Sequence, residues 1–191
     1  MHASLTYRTR TALMRAPAKF EGLRYTMKIR KPRAGDGVEL AKLMMALDEE
    51  TEFMMLEPGE RRTSPEAQEK SIQSFLSSSS KAMFLADVDD EIVGFVVGVG
   101  HEANRNRHCM YCVIGVLQEA AGRGLGTALM KTLESWAKEN KFTRLELTVM
   151  AHNDRAKNLY QRQGFQVEGT KRNSLRVNGE YVDELYMSKL W

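Results

Sequence analysis

The glycine run Gly122-Arg123-Gly124-Leu125-Gly126 constrains this chain more than any other stretch. The apolar segment Cys112-Val113-Ile114-Gly115-Val116-Leu117 precedes it, and a helical stripe of Leu125, Ala128, Leu129, Leu133, Trp136 and Ala137 follows. A strand that passes through glycines straight into a helix points to an α/β architecture. It also makes an anion site. Glycine leaves room at the backbone, and the first N–H groups of a helix have no partner within it.

The rest of the chain can be ordered around that turn. Residues 25–31 read as a first strand, punctuated by Pro32 and Gly35-Asp36-Gly37. Residues 38–47 read as a helix with Leu40, Leu43, Met44 and Leu47 on one stripe. Pro65 opens a second helix, running towards Leu76. Residues 82–88 and 92–100 are two strands joined by a turn at Asp89-Asp90-Glu91. Residues 105–117 form a third strand region, in which Gly115 suggests a bulge or a close approach. After the glycine turn and its helix, residues 143–149 alternate cleanly, with Leu145, Leu147 and Val149 on one face and Arg144, Glu146 and Thr148 on the other. Asn153 is placed to cap a helix that carries Ala156, Leu159 and Tyr160 on one face and stops at Gly164. Residues 165–177 and 180–189 form a hairpin about Asn178-Gly179. The order is strand, two helices, three strands, helix, strand, helix, two strands.

Composition excludes several function classes. The chain has 191 residues, 42% hydrophobic and 28% charged, with a net charge of +3, which fits one globular domain. The positive charge belongs to the first 24 residues, where Arg8, Arg10, Arg15, Lys19 and Arg24 face only Glu21. Taking these from the 28 basic and 25 acidic residues leaves 23 and 24, so the remainder offers no general nucleic-acid surface. Residues 1–24 read as an N-terminal extension and 25–191 as the domain. No apolar run has the roughly 18 residues of a membrane helix. Cys109 and Cys112 have a redox-like spacing but lie in a strand-like run, and are expected to be two reduced thiols.

Three nucleotide sites compete for the glycine turn. A triphosphate loop begun at Gly122 would need Lys where Ala128 stands. A dinucleotide fingerprint would need its third glycine at Thr127 or Leu129, and only Glu146, at the ribose-binding distance, speaks for it. A plain tight connection is the blandest alternative. The third site is for coenzyme A. The segment Val116-Leu117-Gln118-Glu119-Ala120-Ala121-Gly122-Arg123-Gly124-Leu125-Gly126-Thr127-Ala128-Leu129, followed by Asn153-Asp154-Arg155-Ala156-Lys157-Asn158-Leu159-Tyr160-Gln161-Arg162-Gln163-Gly164-Phe165, resembles the two motifs of the GNAT N-acetyltransferase superfamily. The resemblance runs from about Tyr25 to Trp191 and includes the order of elements. It departs at Ala121, where the family usually has Arg or Gln, so a side-chain contribution to the ligand is missing there.

The resemblance implies an α/β (α+β) fold, with a mixed, mostly antiparallel sheet of about seven strands, splayed central strands and about four flanking helices. It implies acetyl-CoA as co-substrate, with no metal. The pantetheine arm would pair with the backbone of Ile114, Val116 and Leu117, and the pyrophosphate with N–H groups of Arg123, Gly124, Leu125, Gly126 and Thr127. Asn153 would bond the arm, and Tyr160 would touch the ligand and protonate the leaving thiolate. Base candidates are His108, at the start of the central strand, Glu52, in the acidic and apolar loop 49–60, and Asp183. The hairpin register drawn back from Asn178-Gly179 sets Asp183 opposite Ser174 and diagonal to Arg176, where an ion pair is the plainer role. The expected acceptor is a small-molecule or peptide amine: a free amino acid, a polyamine or a protein N-terminus. Neither nucleic acid nor membrane is an expected partner. A cytoplasmic homodimer is expected, and an acetyl-CoA-binding sensor module is the alternative to an enzyme.

Overall fold

A computed structural model describes residues 26–191; the extension at 1–24 and its boundary with the domain lie outside the described residues. The chain runs through β1 (Met27–Arg30), α1 (Gly37–Glu50), α2 (Pro65–Leu76), β2 (Lys81–Val88), β3 (Glu91–Gly100) and β4 (Cys109–Val116). A 3-10 turn at Gln118–Ala120 leads to α3 (Leu125–Glu139), β5 (Arg144–Met150), α4 (Asp154–Arg162), β6 (Gln166–Val177) and β7 (Glu180–Leu190). The seven strands form one sheet in the order β1-β2-β3-β4-β5-β7-β6. Every neighbouring pair is antiparallel except β4 and β5. This is the mixed, mostly antiparallel sheet with four helices that the motifs implied.

Side-chain alternation divides the core between the two faces of the sheet. Met110 and Cys112 of β4 and Leu145, Leu147 and Val149 of β5 are buried with Leu125, Leu129, Met130 and Leu133 of α3. On the other face, Leu40, Leu43 and Leu47 of α1 and Ile72 of α2 meet Met83, Leu85 and Phe95. Each such apolar side chain removed from water contributes about 1.5–3 kcal/mol. Gly115 sits where a Cβ would lie 2.7 Å from both Leu47 and Phe95, so its glycine serves a close approach. The β3–β4 register is unbroken there, which removes the bulge reading.

Two sequence expectations need correction. The strand expected over 105–117 begins only at Cys109, because Asn106 and Arg107 N–H both bond Ala103 O in a turn. The hairpin register holds from Val177↔Glu180 to Leu175↔Val182, then shifts so that Lys171 faces Glu184. That bulge takes Ser174 to Glu184, at 2.9 Å, instead of Asp183. Cys109 and Cys112 are both buried and free. Among the described residues, no helix is long and apolar enough to cross a membrane.

Candidate active site

The two parallel central strands pair only over Cys109↔Arg144, Met110↔Leu145 and Tyr111↔Glu146. Beyond Tyr111 they splay, and the remainder of β4 is hydrogen-bonded to β3 alone. Leu117 N–H donates to Val93 O, and Cys109 O accepts from His101 N–H, so odd-numbered residues turn their backbone groups towards β3. The strand period then turns the N–H and C=O of Cys112, Ile114 and Val116 into the splay. An extended ligand could add there as a strand.

The splay leads directly to the glycine turn. Gly122 and Gly124 have φ of +79° and +82°, and a Cβ on either would meet nothing within 4 Å. The left-handed conformation explains the glycines, and the open space leaves their backbone accessible. Gly124 is the N-cap of α3, with no side-chain cap and no acidic residue in the first turn. The first intrahelical bond is from Ala128 N–H to Gly124 O, so the N–H groups of Leu125, Gly126 and Thr127 precede the helical ladder. These donors and the positive end of the helix suit a phosphate. Ala121 is half-buried at the head of this turn, and its replacement of Arg or Gln leaves the backbone donors in place.

Gly126 faces a different neighbour. A Cβ there would lie 3.0 Å from Leu159 of α4 and 3.9 Å from Ile114 of β4. Glycine therefore lets α3, α4 and the splayed half of β4 converge. Asn153 caps α4 by accepting Ala156 N–H at 3.0 Å. Tyr160 lies on the buried side of α4, its ring 5.8 Å from that of Phe165. Burial raises the ionisation of the Tyr160 phenol well above the ordinary tyrosine range, and the neighbouring Cys112 and Tyr111 add to the effect. Burial also pushes the Cys112 thiol up to about 12. Both groups are protonated at neutral pH, so Tyr160 is equipped to be an acid and Cys112 is a poor nucleophile.

The three base candidates part company. His108 is exposed and lies just before β4, at the closed end where Cys109 pairs with Arg144. The three paired positions of β4 separate it from the splay. Asp183 accepts Asn173 N–H at 2.7 Å and so holds the β6 bulge, where Asn173 has φ of +51°. Arg176 instead donates to Gly179 O at 3.2 Å, so the expected ion pair with Asp183 is absent. Glu52 is exposed and accepts from Asn178 Nδ2 at 3.1 Å, and its other oxygen lies 3.2 Å from His152 Nε2. It ties the α1–α2 loop to the β5–α4 connection and to the hairpin tip. The same loop is anchored by Arg61, which donates to the buried Asp48 at 2.9 Å. At its root Gln118 N–H donates to Glu50 at 2.9 Å, fixing the end of α1 to the end of β4. Met55 is exposed and Met54 half-buried, so the loop's apolar residues divide between solvent and core.

The face of the splay away from α3 and α4 is partly open to solvent. Val113 in β4 and Tyr186 in β7 are 40% and 43% exposed although both strands lie inside the sheet. Tyr111, Thr148 and Glu184 share that face. The sequence placed Thr148 on the polar face of 143–149 but did not show the meeting of the three, which depends on the β4–β5 pairing at Tyr111↔Glu146 and the β5–β7 register Thr148↔Tyr186. Among the described residues there is no group of three or more side chains suited to a metal.

Comparison with known proteins follows the same outline. A family model described as "Acetyltransferase (GNAT) family" matches residues 44–165. The L-amino acid N-acetyltransferase of Escherichia coli (strain K12) is 32% identical over 110 residues, which are 56% of this chain and 66% of that relative, just under two thirds of its length. The crystal structure of an acetyltransferase of the GNAT family from Streptococcus pneumoniae is 28% identical, covering 86% of this chain and 99% of its own, with a TM-score of 0.83. A GNAT superfamily phosphinothricin acetyltransferase from Sinorhizobium meliloti, solved in complex with acetyl-CoA, has the same fold at 16% identity and a TM-score of 0.75, over 86% of this chain and 88% of its own.

Proposed function

Because the chain belongs to the GNAT acetyltransferase family, we propose that it transfers the acetyl group of acetyl-CoA directly to a primary amine, with a free amino acid as the leading acceptor class. The observation that carries this reading is the continuity of two donor surfaces. The backbone of Ile114 and Val116 that faces the splay is followed, after one 3-10 turn and the glycines, by the uncapped start of α3. An extended arm ending in a pyrophosphate fits that path, with the arm in the splay and the phosphates on the N–H groups of Arg123, Gly124, Leu125, Gly126 and Thr127. The L-amino acid N-acetyltransferase relative supports the acceptor class.

The chemistry follows from the two faces of the splay. A neutral amine entering from the Val113 side attacks the thioester carbonyl, forming the C–N bond as the C–S bond breaks. The nitrogen loses one proton and the sulfur gains one. Tyr160, on the α4 side, supplies the sulfur's proton and regains one as the nitrogen's proton returns through solvent. Asn153 borders the arm near the start of α4. Thiol release from acetyl-CoA, followed across amino acids, polyamines and N-terminal peptides, tests this reading. Amine-dependent release with an amino acid is expected, and no release with any acceptor would overturn it.

We assign Glu52, held between His152 and Asn178, to closing the acceptor side of this arrangement. Glu52→Gln is expected to raise the acceptor KM severalfold and to leave kcat within about threefold. Loss of a general base would instead lower kcat by about 10²–10⁴. Steady-state kinetics with the acceptor varied separates the two outcomes.

A further inference from the structure

The sheet face proposed for the acceptor carries a string of polar side chains whose direction can be deduced. Tyr111 of β4 and Thr148 of β5 meet across the splay, hydroxyl to hydroxyl, at 2.9 Å. Thr148 faces Tyr186 in the β5–β7 register, which makes Glu184 its diagonal neighbour on the same face. Glu184 is buried, and its Oε2 accepts from Lys171 Nζ and Ser174 Oγ, each at 2.9 Å. The Thr148 side chain, diagonal to Glu184 on the same face, favours the ionised form of this carboxylate. Four strands therefore contribute to one string: Tyr111, Thr148, Glu184, then Lys171 and Ser174.

An ionised carboxylate can only accept, which orders every proton upstream of it. With the ionised Glu184 diagonal to it, the favoured direction for the single Thr148 O–H is towards that carboxylate. Its oxygen must then accept the O–H of Tyr111. The Tyr111 oxygen is left with lone pairs and no free proton, so it accepts a hydrogen bond and offers none. Lys171 already balances the Glu184 charge, so the string supplies orientation more than net attraction. Tyr111 and Tyr160 lie near enough for one to disfavour ionisation of the other, yet β4 alternation sends Tyr111 to the face away from α3 and α4.

We propose that Tyr111, aligned by Glu184 through Thr148, accepts an N–H of the incoming amine and holds its nitrogen lone pair towards the thioester. The proposal rests on the acetyl-transfer reading above and adds the residues that position the acceptor. A nucleophile with at least one N–H beyond the lone pair satisfies both demands, which is the chemistry of a neutral primary or secondary amine. Tyr111 binds the acceptor, and Thr148 and Glu184 are positioning residues acting through it.

The test uses the full chain, saturating acetyl-CoA and an amino acid acceptor that the wild-type protein turns over. Thr148→Val keeps the shape of the side chain and breaks the string. It is expected to lower kcat/KM for the acceptor about tenfold, chiefly through KM, the size of one lost hydrogen bond. Tyr111→Phe is expected to do the same, and Thr148→Ser to restore most of the loss. Acetyl-CoA affinity, measured by calorimetry, is expected to stay at the wild-type value in all three. A wild-type acceptor KM in Thr148→Val would overturn the proposal while leaving acetyl transfer intact. Equal losses of acceptor and acetyl-CoA binding, unrepaired by Thr148→Ser, would reduce the string to a structural tie and overturn it as well. A wild-type chain that acetylates no amine would refute the transfer reading beneath it.

Discussion

Gly126→Asp is expected to weaken acetyl-CoA binding by at least about 100-fold, close to 3 kcal/mol, without unfolding the protein. A side chain at this position grows towards Leu159, 3.0 Å from its first carbon, and towards Ile114. That wedge between α4 and β4 is where an arm lying along Ile114 and Val116 would meet the glycine turn. The carboxylate adds a second obstacle. At the second residue of α3 it competes with a phosphate for the same N–H groups and repels the phosphate charge. The helix itself gains from a negative group near its N-terminus, so the fold is spared while the ligand is refused. Gly126→Ala is the companion variant. Its methyl needs only a few tenths of an ångström from the flexible end of Leu159, so an intermediate affinity is expected. Calorimetric titration gives the Kd values and thermal unfolding checks the fold. Wild-type affinity in Gly126→Asp would remove the pyrophosphate from this turn.

The elements proposed to hold the donor were legible in the sequence because they are local. Strand, glycines and helix follow one another within 113–139, and Asn153, Tyr160 and Gly164 fall within one short helix and its ends. Spacing along the chain is spacing in space for such elements. The α2 boundaries were equally plain, since Pro65 and the Ser64 cap start the helix by local chemistry. The acceptor half is built from contacts between distant segments. Glu52 meets Asn178 across 126 residues and His152 across 100. No periodicity announces such a clasp. Asp183 was misplaced for a related reason. Two consecutive hairpin strands suggest a simple ladder, and the bulge over Arg172–Ser174 breaks it. The alternation of 143–149 did place Thr148 on the polar face, but only the sheet order could bring it to Tyr111 and Glu184.

Tyr160→Phe is expected to lower kcat by about 10²-fold while acetyl-CoA affinity stays near the wild-type value. The phenol and the phenyl ring fill the same space beside Phe165, so packing on α4 is retained. What is lost is a proton donor on the side of the splay where the thiolate would leave. The pH dependence distinguishes this role from a purely structural one. Burial raises the Tyr160 ionisation above the ordinary tyrosine range, so the acid form persists from neutrality to beyond the pH at which an exposed tyrosine ionises. The wild-type kcat is therefore expected to show no alkaline fall due to this group up to about pH 9.5. The variant should run parallel to it, about two orders of magnitude lower, because the donor is absent at every pH. Solvent water then supplies the sulfur's proton, and the deficit should shrink with acyl donors whose leaving thiol is more acidic, since a better leaving group needs less protonation. An undiminished kcat, or a deficit independent of thiol acidity, would take the proton-donating role away from Tyr160 and leave it as packing for the arm.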